Sequence, residues 1–211
     1  MHNRKKNIVI LTITALIVIV IDQITKYIIR TTPSLHNFDI IKGWLAFHYT
    51  QNPGMAMGIN IVPTPVISVI SLLAIIGIII YTVKLSVRAN VGQMICMGLI
   101  VGGAVGNIID RMFMAIIQSY GGFMQGHVVD FIFFTLKIDG HTVFPYIFNF
   151  ADACITTSIL ILIVFSKYLL PSGSLKAEET VPEKGTVGDG NDNKDLLATG
   201  TDGVNPISKS E

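Results

Sequence analysis

The chain has 211 residues, 51% of them apolar and 14% charged, with a formal net charge of +1 and a mean hydropathy of +0.61. That composition excludes an ordinary soluble domain and points to membrane spans. Nothing in the charge balance calls for a nucleic-acid partner.

Four apolar runs are long enough to cross a bilayer: residues 8–29, 65–83, 91–113 and 150–170. The first follows Arg4, Lys5 and Lys6, as a secretory signal would. It ends in DQITKYIIR rather than in a small-residue cleavage site, so it reads as an uncleaved helix. The short connections carry the bases Lys84 and Arg88, and Lys167 closes the fourth run. Both termini are therefore expected in the cytoplasm, with the connections 30–64 and 114–149 outside. Residues 1–170 form the expected membrane domain. Residues 171–211 carry eight acids and four bases with few large apolar groups. They read as a disordered cytoplasmic tail, because such a segment cannot offset its ordering entropy by burial.

Asp22 and Lys26 are spaced i,i+4 near the outer end of the first span and meet on one helix face. They are either an ion pair that makes both charges tolerable there or direct participants in chemistry. In the first outer connection, WLAFHY at 44–49 is strand-like. It runs into Asn52-Pro53-Gly54-Met55-Ala56-Met57-Gly58, which is a turn, or a backbone bare enough to approach a ligand. The third span has Gly98, Gly102 and Gly106 at four-residue spacing, which suits close helix packing. Asn107, Asp110 and Arg111 then form a polar patch at its outer end, bonding to each other or to neighbouring helices.

The second outer connection contains HVVDFIFFTLK at 127–137, then Asp139-Gly140, then another apolar run. A hairpin is expected there. As a strand residue, Asp130 shares a face with Val128, Ile132 and Phe134, where partial desolvation raises a carboxyl pKa. Asp152 opens the fourth span three residues after Asn149. It is an acid favoured by the helix dipole, or one half of a pair with Asp130. Two carboxylates sharing a proton supply a base and an acid near neutral pH, enough for peptide hydrolysis without a metal.

Other chemistries fit less well. H-E-x-x-H is absent, and His36, His48, His127 and His141 are scattered over the outer connections. No cofactor or metal is expected. Cys96 and Cys154 fall at opposite ends of their spans, too far apart for a disulfide. The outer connections are too short to build a large serine–lysine peptidase domain. A small polytopic transporter or channel is the main alternative, although no internal repeat is visible and the polar groups crowd one leaflet. A non-enzymatic membrane adaptor is another.

Five blocks carry a family resemblance: Asp22-Gln-Ile-Thr-Lys26, Asn52-Pro-Gly54-Met-Ala56, Gly102-Gly-Ala-Val-Gly106-Asn107-Ile-Ile-Asp110-Arg111, Val129-Asp130-Phe131 and Phe148-Asn149-Phe-Ala-Asp152. In this order, over about residues 15–165, they resemble lipoprotein signal peptidase, or signal peptidase II. The resemblance implies an all-α membrane protein of four transmembrane helices with a small outer-face β cradle and a short surface helix. It implies a bacterial inner-membrane aspartyl peptidase that removes the signal peptide of prolipoproteins just before a diacylglyceryl-modified cysteine. Its partners would be those precursors and membrane lipid. Asp130 and Asp152 match the catalytic pair. Asp22, Lys26, Asn52, Gly54, Ala56, Asn107, Asp110, Arg111 and Asn149 match the supporting and substrate-binding residues. Met57 departs from the aromatic residue frequent at that place in the family.

Overall fold

The computed structural model describes residues 2–54 and 62–165. Helix α1 spans His2–Thr31, α2 Thr64–Leu85, α3 Val91–Ile117 and α4 Phe150–Val164. Strands β1 (Asn37–Ile41) and β2 (Leu45–Asn52) lie between α1 and α2. Strands β3 (Val128–Phe134), β4 (Lys137–Ile138), β5 (His141–Thr142) and β6 (Ile147–Phe148) lie between α3 and α4. The molecule is mostly helical, with antiparallel strands grouped at one end.

Helix α1 shows how the sequence dictates packing. Leu11, Ala15, Val18, Asp22, Lys26 and Ile29 are all buried. Their spacings of three and four residues make one continuous stripe. Ile13, Leu16, Ile17, Val20 and Ile24 are exposed on the other faces. Large apolar side chains exposed there suit a hydrocarbon solvent.

The buried stripe meets α3, and the glycines set the distance. A Cβ at Gly102 would lie 2.7 Å from the Ala15 carbonyl oxygen and 2.8 Å from Val18 Cβ. At Gly98 it would meet Thr14 Cβ at 2.7 Å, and at Gly106 it would collide with the Asp22 carboxylate. Gly103 faces the other way, where a Cβ would lie 2.7 Å from the Ala151 carbonyl oxygen on α4. Thus α3 is held between α1 and α4 on bare backbone, the small-residue mode of membrane helix packing. Gly102→Leu is expected to force α1 and α3 apart and to cost about 1–3 kcal/mol. A lowered thermal unfolding midpoint of the purified variant would report it; an unchanged midpoint would contradict the close approach.

Hydrogen bonds define the two ends of the bundle. Asn7 Nδ2 donates to the carbonyl oxygens of Ser86 (2.9 Å) and Ala89 (2.8 Å), tying the start of α1 to the α2–α3 turn. Asn90 caps α3 by accepting from the Gln93 backbone N–H. At the far end, Ile29, Met114, Val129 and Phe131 form a buried cluster that seats the sheet on α1 and α3. There Ser68 of α2 donates to the Met124 carbonyl oxygen at 2.9 Å.

The main sheet has the order β1-β2-β3-β6, all antiparallel. Both long connections therefore contribute to one sheet. Thr50 pairs with Asp130, and an irregularity interrupts the β2–β3 ladder between Phe47 and Thr50. The expected hairpin is formed by β4 and β5, with Asp139 at φ 51 and Gly140 at φ 81. Positive φ at both central residues is the two-residue turn whose twist matches paired strands.

Three helices, Asn3–Thr31, Thr64–Leu85 and Val91–Ile117, are long and apolar enough to cross a membrane. The apolar α4 is described over 15 residues, and the end of the expected fourth span, 166–170, lies outside the described residues. So do Ala56, Met57 and the tail. In the expected outer connections, the helical element among the described residues is the three-residue turn Pro33–Leu35.

Candidate active site

Asp130 is delivered by β3 and Asp152 by the first turn of α4. Side chains alternate along β3: Val129 and Phe131 enter the cluster against α1 and α3, and Asp130, also buried, takes the opposite face. Only 2% of Asp130 is exposed. Its Oδ1 accepts from Asn149 Nδ2 at 2.7 Å and its Oδ2 from Asn52 Nδ2 at 3.0 Å. Asp152 Oδ1 accepts from Asn107 Nδ2 at 2.8 Å, and its Oδ2 from the Asn149 backbone N–H at 3.2 Å.

Asn149 is the joint between them. It is the N-cap of α4: its Oδ1 accepts from the Asp152 backbone N–H at 3.0 Å, and the Asp152 carboxylate returns the bond. This reciprocal capping box fixes both residues without any further contact. The same side chain donates to Asp130 and, at 3.0 Å, to Asn107 Oδ1. One asparagine thus holds both acids in register. Burial first, and then the neighbouring Asp152 carboxylate, push the Asp130 carboxyl up to about 7, against the hydrogen bonds from Asn52 and Asn149. The partners of both acids are amides. An amide orients a carboxylate without neutralising it.

A second layer lies beneath. Lys26 Nζ is 2.8 Å from Asp22 Oδ2 and 2.9 Å from Asp110 Oδ2, and it donates to Asn107 Oδ1 at 2.9 Å. Its three donors have three acceptors on two helices. Asp22 and Asp110 are fully buried, and Lys26 is 2% exposed. Asp22 Oδ1 also accepts from the Ala151 backbone N–H at 3.1 Å, and Asp110 Oδ2 from the Val129 backbone N–H at 3.1 Å. These bonds tie α4 and β3, the two carriers of the acids, to the α1–α3 core. Asn107 passes the connection upward from Lys26 to Asp152.

Asp110 and Arg111 part company. Asp110 turns into the Lys26 cluster, whereas Arg111 lies within the charge field of Asp130, Asp110 and Asp152. One buried guanidinium nitrogen, Nη1, has no hydrogen-bond partner among the described residues. A Cβ at Gly54 would come within 3.2 Å of that nitrogen and clash with Ile67. Gly54 also sits at φ 111, and its N–H donates to Asn52 Oδ1 at 2.9 Å. The bare backbone there leaves room for Ile67 and Arg111 together.

Residues 14–168 match the model of the family described as signal peptidase (SPase) II. The chain belongs to the signal peptidase II family. It is 32% identical to a lipoprotein signal peptidase of Porphyromonas gingivalis, covering 81% of this chain and 89% of that protein. It is 32% identical to one of Staphylococcus aureus, covering 79% and 91%. A solved structure described as a bacterial membrane enzyme superposes with a TM-score of 0.57 at 31% identity, covering 84% of this chain and 94% of that one. The transporter or channel reading finds no support in these relatives.

Within this signal peptidase II chain, Gln23 is a site residue that sequence reasoning missed. Its Nε2 lies 3.2 Å from Asp22 Oδ2, 3.1 Å from the Gly106 carbonyl oxygen and 3.1 Å from Asp110 Oδ1. Its position beside Asp22 was the available signal. Among the described residues, no three or more His, Cys, Asp or Glu side chains converge as a metal site. His36 stacks on Tyr49 and His127 packs beside the Tyr120 ring. Cys96 and Cys154 are free thiols.

Proposed function

We propose that this chain is a membrane aspartyl endopeptidase that removes signal peptides from prolipoproteins just before the diacylglyceryl-modified cysteine. The observation that carries the aspartyl assignment is the Asn149 bridge between Asp130 and Asp152, with the Asp130 carboxyl raised to about 7. The ionised member of the pair takes a proton from water as the water attacks the scissile carbonyl. The protonated member donates to the carbonyl oxygen and then assists departure of the amine. The Arg111 Nη1–H is a donor available to the charge that develops on that oxygen. Asn52, Asn107 and Asn149 hold the acids, and the Asp22–Lys26–Asp110 cluster holds Asn107 through Lys26.

In this reading α4 is the fourth span of a bacterial inner-membrane protein. Both termini lie in the cytoplasm, on the side of Arg4, Lys5, Lys6, Lys84 and Arg88. The sheet and the paired acids then face the outer leaflet, where a lipid-modified precursor presents its cysteine.

The test is cleavage of a diacylglyceryl-modified precursor by the purified full chain. Chelators are expected to leave the rate unchanged. Asp130 keeps its proton below about 7; above that its carboxyl is ionised and can no longer donate. Activity is therefore expected to fall as pH rises through about 7, approaching a tenfold loss per pH unit. A rate that climbs steadily through that range would contradict the shared-proton mechanism.

A further inference from the structure

At the end of the bundle away from the paired acids, five bases gather on two elements. Arg4, Lys5 and Lys6 occupy the start of α1, Lys84 the last turn of α2, and Arg88 the turn that follows. All five are exposed. Asn7 draws the two groups together. It is 5% exposed, and its side chain donates to the carbonyl oxygens of Ser86 and Ala89 at 2.9 Å and 2.8 Å. Arg88 falls between those two acceptors in sequence, and Lys6 is the chain neighbour of Asn7. None of the five bases has an ion-pair partner among the described residues. The nearest acid along α1 is Asp22. At the helical rise it lies ~24 Å beyond Lys6, well past the ~8–10 Å over which salt screens exposed charges. Asp110 is farther still from the α2–α3 turn, and the other acids among the described residues lie in β1, β3, the β4–β5 turn and the start of α4.

We infer that this end of the bundle binds the headgroups of acidic phospholipids. This role is independent of the peptidase activity. Five cations with no acid beside them repel one another, and an anionic headgroup removes that repulsion. A phosphodiester also matches the donors: arginine can grip it with two N–H groups, and lysine meets it as a point charge. The surroundings favour a lipid over a soluble anion. Val9 and Ile13 follow the bases along α1, and Ile76 and Ile80 precede Lys84 along α2, all four exposed. Bases at the end of a bundle with bare apolar helix faces directly below them fit an amphiphile, its phosphate on the bases and its acyl chains along the helices. An acidic protein or a nucleic acid would meet the charge and leave the apolar faces unused. Helix α2 gains most from such a lipid. Its buried residues are Ser68, Ile75 and Thr82, one narrow stripe at seven-residue spacing. A headgroup held between the α1 bases and Lys84 or Arg88 adds a second tie between these elements, beside the one that Asn7 makes.

The experiment titrates the purified full chain, in neutral detergent, with phosphatidylglycerol or with phosphatidylcholine, and reads the bound lipid by native mass spectrometry. Phosphatidylglycerol is expected to bind about tenfold more tightly or better, since each base near a membrane surface contributes about fivefold. Lys84→Gln with Arg88→Gln, and separately Lys5→Gln with Lys6→Gln, should each remove about tenfold of that preference or more. All four side chains are exposed, so the unfolding midpoint in lipid-free detergent should stay at the wild-type value. Wild-type protein gives a reading that needs no substitution: its preference should shrink as ionic strength rises. An excess of inorganic phosphate should leave the lipid bound. Equal affinity for the two lipids would overturn the proposal, as would a preference that survives high salt undiminished. Folded pair variants that keep the full preference would overturn it too, because the acidic lipid would then sit elsewhere. Displacement by inorganic phosphate would do the same, since a bare anion would then suffice and the apolar faces would count for nothing.

Discussion

Lys26→Met is expected to yield little folded protein. The ammonium is the counter-charge for both Asp22 and Asp110, at 2.8 Å and 2.9 Å, and both acids are fully buried. Methionine fills the volume and removes the charge. Two carboxylates then face each other in a dry interior, with Gln23 and two backbone N–H groups as their remaining donors. Breaking a buried pair from one side costs about 3–5 kcal/mol, a large share of the ~5–15 kcal/mol by which a typical domain is stable. The damage should also reach the paired acids, since Asn107 loses one of the two donors that orient its carbonyl. Monodisperse yield and the thermal unfolding midpoint in detergent are the measurements. Asp22→Ala should act in the same direction more weakly, because Asp110 still pairs with Lys26. A variant of Asp22 that is fully stable and fully inactive would mean that this acid takes part directly in the chemistry.

That cluster also marks how much the sequence could disclose. The i,i+4 spacing put Asp22 and Lys26 on one helix face, but the span is apolar on every side, so the stripe that turns inward shows only in the packed structure. Asp110 was harder to read. Its chain neighbour is Arg111, but adjacent helical residues point in different directions, and its real partners are a lysine on another helix and a backbone N–H on a strand. Such partners are fixed by tertiary packing and leave no local signal. The same holds for Asp130 and Asp152, whose lack of a nearby counter-ion was visible. The amides that hold them come from β2, α3 and the cap of α4. Asn149 could be read as a helix cap, but its second role, donating to Asp130, depends on how β3 and β6 return to the bundle.

Among the elements, the long helices were legible because each apolar run exceeds what a soluble core helix needs. Strand β1 was not. Asn37-Phe-Asp-Ile-Ile41 alternates weakly, and all five residues are exposed, so pairing with β2 rather than burial makes it a strand. The Asp139-Gly140 turn was legible because both residues tolerate positive φ. The contacts among the Phe134, Phe144 and Phe148 rings were not, because the three are separated in sequence and meet through the β4–β5 hairpin and β6.

The largest effect is expected at the paired acids. Asp130→Asn and Asp152→Asn each keep the size of the side chain and one of its two acceptor oxygens, so one of the two hydrogen bonds that hold each acid survives. Neither amide can exchange a proton with water or with the leaving amine. Each substitution should lower kcat by about 10⁴-fold or more with little change in the unfolding midpoint, and the double variant should be no worse, because the two groups act as one unit. The decisive measurement is turnover of a diacylglyceryl-modified precursor by each single variant, purified free of wild-type enzyme and followed by mass of the released signal peptide. The account predicts no product above the enzyme-free blank. Turnover by either folded variant above about a hundredth of the wild-type rate would be too fast for an enzyme lacking its general acid or base, and would contradict the aspartyl mechanism.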